Sequence, residues 1–132
     1  MTLVDTSVWI EVFRKPARLR LDAVLDFDDI VTCLVVQQEV LQGFDDERAF
    51  SLAREAMRAL PAVDVPLQPA VFDEAIGLYR SARRAGLTVR SGVDCLGAAS
   101  ALRHHLTVLH CDRDFDLLAR ISPLEQINVR RR

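Results

Sequence analysis

Four acidic residues stand at positions where side chains gather in α/β proteins: Asp5, Glu39, Asp94 and Asp112. Asp5 follows the apolar pair Leu3-Val4 and precedes Thr6-Ser7 and a run with helical spacing, so it marks a strand end turning into a helix. Glu39 falls inside a helical stretch and projects, at about 100° per residue, between Val35 and Val36 one turn earlier. A carboxylate on that side is costly to bury unless it is hydrogen-bonded, protonated or facing a cation. Asp94 lies in the first turn of a helix, and Asp112 follows a strand. Singly, each has an ordinary explanation. Asp5 and Asp112 suit helix caps, and Ser91-Gly-Val-Asp94 has the spacing of a capping box. Gathered in one crevice, four ionised acids repel by about 4 kcal/mol per pair at 4 Å and an effective dielectric of 20. Bound protons or cations relieve that repulsion, and an all-oxygen ligand set selects a hard ion, Mg²⁺ or Mn²⁺.

The elements that must deliver these acids alternate along the chain. Strands are expected at Leu3-Val4, Ile30–Cys33, Val63–Val65, Thr107–Cys111 and Gln126–Val129. Helices are expected after Asp5, over Arg18–Leu25, over Leu34–Leu41 with Gly43 as C-cap, through Phe50 to Leu60 behind the acidic Asp45-Asp46-Glu47 and stopped at Pro61, from Pro69 to Ala85, over Asp94–Leu102 and over Asp112–Arg120. Strand followed by helix almost throughout predicts an α/β fold with a mainly parallel sheet of about five strands, flanked by helices on both faces.

A chain of 132 residues, 50% hydrophobic and 27% charged, fits a single domain over 1–132. The net charge of −2 gives no global nucleic-acid signature, although 16 of the 17 basic residues are Arg, Lys15 being the exception. Cys33, Cys95 and Cys111 form no Cys-x-x-Cys and are expected to be reduced, buried residues of a cytoplasmic protein. The N-terminus lacks the pattern of an export signal, and no apolar run reaches the ~18 residues of a membrane span. His104, His105, His110 and Cys111 do not match paired zinc-ligand spacing. Phosphate-binding glycine motifs are absent.

Four segments in order, Val-Asp-Thr-Ser-Val-Trp-Ile-Glu at Asp5, Gln-Glu-Val-Leu-Gln-Gly at Glu39, Val-Asp-Cys-Leu-Gly-Ala-Ala-Ser-Ala at Asp94 and Cys-Asp-Arg-Asp-Phe at Asp112, resemble the acidic motifs of PIN-domain ribonucleases. Chain length and wording are most similar to the VapC-type toxins of type II toxin–antitoxin pairs. The resemblance spans nearly the whole chain and implies a three-layer α/β/α fold. It also implies a Mg²⁺-dependent endoribonuclease, for which Mn²⁺ can substitute, leaving 5′-phosphate and 3′-hydroxyl ends. It implies Asp5, Glu39, Asp94 and Asp112 as the catalytic, metal-holding acids, Asp114 as an additional acid toward a second ion or its water, and Thr6 as a hydroxyl that orients water. Two positions depart from the family pattern. His110 stands where members often carry Thr, and Gly97 where a bulkier apolar residue is usual.

The resemblance further implies an RNA substrate, a homodimer and a cognate VapB-type antitoxin, the two forming a heterotetramer or larger. Arg14, Arg83, Arg84, Arg90 and Arg113, with Arg130–Arg132, are candidates for phosphate contact. Trp9, Phe13, Leu21 and Leu25 are candidates for an antitoxin groove, provided that a subset of them is exposed. Two other readings compete. Aspartyl-phosphate chemistry, as in receiver domains or phosphatases, also places an Asp after the first strand but needs a downstream Lys, and this chain has only Lys15. A catalytically inactive RNA- or protein-binding PIN-like module would use its acids only as caps; the presence of all four argues against it.

Overall fold

A computed structural model describes residues 1–131; Arg132, and with it the end of the Arg130–Arg132 run, lies outside the described residues. Five strands, β1 (Thr2–Val4), β2 (Ile30–Cys33), β3 (Ala62–Val63), β4 (Thr107–His110) and β5 (Gln126–Asn128), form one sheet in the order β3-β2-β1-β4-β5. All pairings are parallel. Six α-helices flank it: α1 (Thr6–Phe13), α2 (Leu34–Leu41), α3 (Glu47–Arg58), α4 (Pro69–Arg84), α5 (Gly92–Arg103) and α6 (Arg113–Arg120). This is the expected α/β architecture.

Strands β1 and β2 are buried along their whole length, which explains their near-continuous apolar composition. Against the neighbouring strand β4 packs α5, whose Gly97, Ala98, Ala99, Ser100 and Ala101 are all buried. Small side chains let this helix approach closely. The chain steps outward from β1 to β2 and β3, then returns to place β4 on the other side of β1. Connections leaving β1 and β4 therefore diverge, opening a crevice at the carboxyl ends of those two strands. The register Val4↔Leu109 and the bond from Asp5 N–H to Leu109 O at 2.9 Å carry the pairing one residue beyond β1. Asp5 and Asp112 thus emerge side by side.

Several boundaries differ from expectation. Arg18–Leu25 forms no α-helix; Arg20 is extended (φ −103°, ψ 109°) and only a 3₁₀ turn forms at Leu21–Ala23. Leu21 is the one residue of that stretch in the core, too little burial to offset the cost of nucleating a helix between Pro16 and Asp26. The third strand ends at Val63, because Asp64 adopts φ 56° and turns the chain away. Its carboxylate is held there by His104 Nε2 at 3.1 Å and Arg103 Nε at 3.7 Å. Gly43 does not adopt a left-handed cap; that conformation occurs at Gly86 (φ 77°), where the Gly86 N–H bonds Arg83 O and the Leu87 N–H bonds Ala82 O after α4. The three cysteines are free and buried. Among the described residues, no helix is long and apolar enough to cross a membrane.

Candidate active site

Asp5 is the N-cap of α1, 6% exposed, and its Oδ2 accepts both the Ser7 N–H (3.0 Å) and the Ser7 hydroxyl (2.6 Å). Ser7 Oγ in turn accepts the Cys111 N–H at 3.1 Å, and the Cys111 thiol donates to Ser7 O at 3.2 Å. One hydroxyl therefore ties the acid after β1 to the chain leaving β4. Ser7 was not among the expected site residues; the available signal was a hydroxyl two positions after a strand-end Asp, the usual place for a cap donor. Burial raises the Asp5 pKa above the ordinary carboxylate range, against the Ser7 bonds that lower it.

Asp112 is the N-cap of α6, its Oδ1 accepting the Asp114 N–H at 2.9 Å. The capping role and a place in the site thus coexist. Asp114, 1% exposed, sits one residue inside the helix; it accepts the Arg90 N–H on both oxygens at 3.1 Å and the Ser91 N–H at 3.0 Å. This carboxylate fastens the segment entering α5 to the start of α6. Ser91 caps α5 without a side-chain bond, so the capping box does not form, and Asp94 turns instead toward its neighbours. Asp94, Asp112 and Asp114 each offer an oxygen within 4.8 Å of the others. Asp94 is 7% exposed, and its pKa is pushed up to about 9, first by burial, then by its hydrogen bond to Asp114 and the charges of Asp5 and Asp112. With no cation bound, burial and the neighbouring acids favour the neutral form of Asp94, which shares its proton with Asp114.

Glu39 is half-buried on α2 and lies outside that tight group; its Oε1 accepts the Thr6 hydroxyl at 2.8 Å. Thr6 therefore holds an acid directly. Asp5 belongs to the cluster through its field, raising Asp94 and being raised by Asp112.

The donor set suits a hard divalent cation. Three carboxylates crowd together, all ligand atoms are oxygens, and among the described residues no Arg, Lys or His makes an ion pair with Asp5, Glu39, Asp94, Asp112 or Asp114. The histidines do not assemble a zinc site: His104 pairs with Asp64, while His110 is engaged by Asp112 and Gln126. Lys15 is exposed and forms no pair with Asp5, which disfavours aspartyl-phosphate chemistry.

Beside Glu39 opens a cavity of about 470 Å³ between α1, α2 and the start of α3, lined by Ile10, Phe13, Val40 and Phe44, with Arg14 and Lys15 also on its walls. Phe13 stacks on Trp9 and meets Phe44 edge-on, with ring centroids 5.6 Å apart in each pair. Of the four expected groove residues, Trp9 and Leu21 are buried in the core, whereas Phe13 and Leu25 are partly exposed. The exposed apolar wall is instead made with Ile10 and Phe44. Arg14, Arg83, Arg84, Arg90 and Arg113 are all exposed; Arg14 reaches Glu11 at 3.7 Å, and Arg83 lies over the Tyr79 ring.

The two departures from the family pattern meet at one side chain. The Phe115 ring fills the space beside Gly97, 3.8 Å from where a Cβ would be, and its centroid lies 5.1 Å from that of His110. A Cβ at position 97 would make an ordinary van der Waals contact with that ring.

The family model described as PIN domain matches residues 2–121. Two relatives, VapC ribonuclease Mb1587 of Mycobacterium bovis and ribonuclease VapC11 of Mycobacterium tuberculosis, are each 38% identical over 135 residues, covering 98% of this chain and 100% of the relative. Among solved structures, VapBC2 from Rickettsia felis, bound to a DNA fragment from its promoter, is similar with a TM-score of 0.73 at 16% identity, covering 96% of this chain and 97% of the other.

Proposed function

Because this chain belongs to the PIN domain family, as a full-length relative of its VapC ribonucleases, we propose that it is a Mg²⁺-dependent endoribonuclease toxin acting in the cytoplasm. The observation that carries this reading is the convergence of Asp94, Asp112 and Asp114 within 4.8 Å, with no basic side chain in an ion pair with them among the described residues. Asp5, Asp94 and Asp112 would hold the cation, with Asp114 as a further acid beside them, and Mn²⁺ could replace Mg²⁺. A cation held there would supply a water of lowered pKa and neutralise charge on the phosphoryl oxygens.

The chain's own groups do the rest. Glu39, steadied by the Thr6 hydroxyl, faces the attacking water and accepts its proton. Asp94 must lose its proton before it can act as a ligand. Water oxygen attacks phosphorus, the bond to the 3′ oxygen breaks, and that oxygen takes a proton from solvent as it leaves, giving a 5′-phosphate and a 3′-hydroxyl. Arg14, Arg90 and Arg113 are exposed cations for the flanking phosphates, and substrate held by them binds less tightly as salt rises.

The partner proposed is a VapB-type antitoxin, whose apolar segment would fill the cavity lined by Phe13 and Phe44 beside Glu39. A homodimer, paired with antitoxin as a heterotetramer or larger, completes the assembly. The test is cleavage of end-labelled RNA by the antitoxin-free chain. Cutting is expected with Mg²⁺, and none with EDTA or with Asp94→Asn. Equal cutting in all three conditions overturns the proposal.

A further inference from the structure

His110 ends β4 with its side chain 0% exposed, a costly place for an imidazole unless both ring nitrogens are used. Both are. Nδ1 lies 3.1 Å from the Asp112 backbone nitrogen, and Nε2 lies 2.6 Å from Gln126 Oε1 on β5. A peptide N–H only donates, so Nδ1 carries no proton and accepts that bond. The ring proton then resides on Nε2 and is given to Gln126. Phe115 lies against the ring, and Asp116, which accepts the Asn128 amide at 3.0 Å, comes within 3.9 Å of Nε2. The imidazole is thus fixed in position and in tautomer by β5 and α6.

What that fixes is the site. Asp112 is extended (φ −125°, ψ 129°), and its Oδ1 is spent on the cap bond to Asp114 N–H. Its peptide plane is held from the strand side by His110 and its carboxylate from the helix side by the cap. Together these set the direction of the Asp112 Cα–Cβ bond, and hence which way the remaining oxygen faces.

We propose that His110 is a positioning residue of the acidic site: by accepting the Asp112 N–H it aims the Asp112 carboxylate at the point shared with Asp94 and Asp114, where a divalent cation binds. The inference rests on the metal-site reading above. Partners of this kind, one bond behind a ligand, typically change metal affinity roughly 10- to 100-fold when removed.

The experiment compares His110→Leu, similar in bulk but without an acceptor, with His110→Asn, whose Oδ1 occupies the place of Nδ1. Both lose the Gln126 bond, so both lose stability, but only Leu loses the hold on Asp112. Mn²⁺ affinity of the purified chain, measured without RNA by calorimetry and electron paramagnetic resonance, is expected to fall about 10-fold or more in His110→Leu. It should stay within roughly threefold of the parent in His110→Asn. With RNA, kcat falls in the Leu variant at an unchanged KM. Parental affinity in His110→Leu, an Asn variant as weak as Leu, or a parent chain that binds no Mn²⁺ overturns the proposal. If either variant fails to fold, the parent decides by ¹⁵N NMR: an unprotonated Nδ1 whose resonance moves with the Asp112 amide during Mg²⁺ titration supports it, and a protonated Nδ1 or an unmoved pair overturns it. Cation affinity is read apart from RNA, so a parent chain that binds Mn²⁺ but cuts no RNA removes the nuclease reading and leaves this comparison standing.

Discussion

The Ser7 hydroxyl donates to Asp5 Oδ2 at 2.6 Å while accepting the Cys111 N–H at 3.1 Å, so the acid at the end of β1 is oriented by a group that also clasps the exit of β4. Ser7→Ala leaves the Cys111 N–H without that partner and Asp5 with one donor fewer. Stability should fall by roughly 1–3 kcal/mol, the cost of leaving a buried polar group unsatisfied. Urea denaturation in EDTA measures this directly. Ser7→Thr keeps the hydroxyl and should recover most of the loss.

Thr6 and Glu39 form the second such pair, joined at 2.8 Å across 33 residues. Thr6→Val preserves shape and buried area but removes the hydroxyl that holds Glu39 Oε1. Since Glu39 is half-buried and can turn toward water, the stability cost should stay near ~1 kcal/mol. RNA cleavage should fall more steeply, by roughly 10- to 100-fold in kcat, because a proton acceptor out of place loses most of its effect. Parallel loss of stability and activity would assign Thr6 a structural role alone.

Much of this site was legible in the residues. Asp5 and Asp112 follow apolar β-forming runs and precede helical spacing, so strand ends and caps announced them. The order of strands was not legible, yet it is what lays Asp5 beside Asp112. The place of Ser7 is not legible in the sequence, because its acceptor role depends on Cys111, 104 residues away. Asp114 could be placed only through its likeness to a family position, because its bonds come from the backbone of Arg90 and Ser91, which carry no side-chain signature. Arg18–Leu25 had the spacing of a helix but too little buried surface to hold one. At Asp64 a left-handed turn stabilised by His104 and Arg103 ended a strand that local β-propensity would have continued.

Asp94 makes the metal-free protein sensitive to pH. Its pKa is raised to about 9 in the folded chain, chiefly by burial, so the native state binds a proton that the unfolded chain releases near its ordinary value of 3.8. Stability in EDTA should therefore be highest at the acid end of that window and decline as pH rises from about 4 toward about 9. Asp5, raised in the same direction, adds to the slope. Thermal melts from pH 5 to 9 test this. Asp94→Asn supplies an N–H to Asp114 without any proton to lose, so its profile should be flatter, and at pH 8 it should be more stable than the parent by roughly 1–3 kcal/mol. The same substitution should abolish cation binding.

Cation binding must expel the Asp94 proton, so apparent Mg²⁺ affinity should climb with pH up to about 9, and calorimetric heats should vary with the ionisation enthalpy of the buffer. Saturating Mg²⁺ would then oppose the alkaline loss of stability, because an ion at about 100 times its dissociation constant contributes roughly 2.7 kcal/mol to the folded state. Asp114→Asn separates this effect from simple packing. Its amide keeps one oxygen to accept the Arg90 and Ser91 N–H groups but sets a donor where the other carboxylate oxygen accepted the Arg90 N–H. The entry to α5 should loosen, seen as faster amide exchange at Arg90 and Ser91. Asp94 should become easier to ionise, because the hydrogen bond and negative charge of Asp114 that raise its pKa are both altered. Weaker Mg²⁺ binding together with a shallower pH dependence is the expected result. Weaker binding with the parental pH dependence would place the exchanged proton elsewhere.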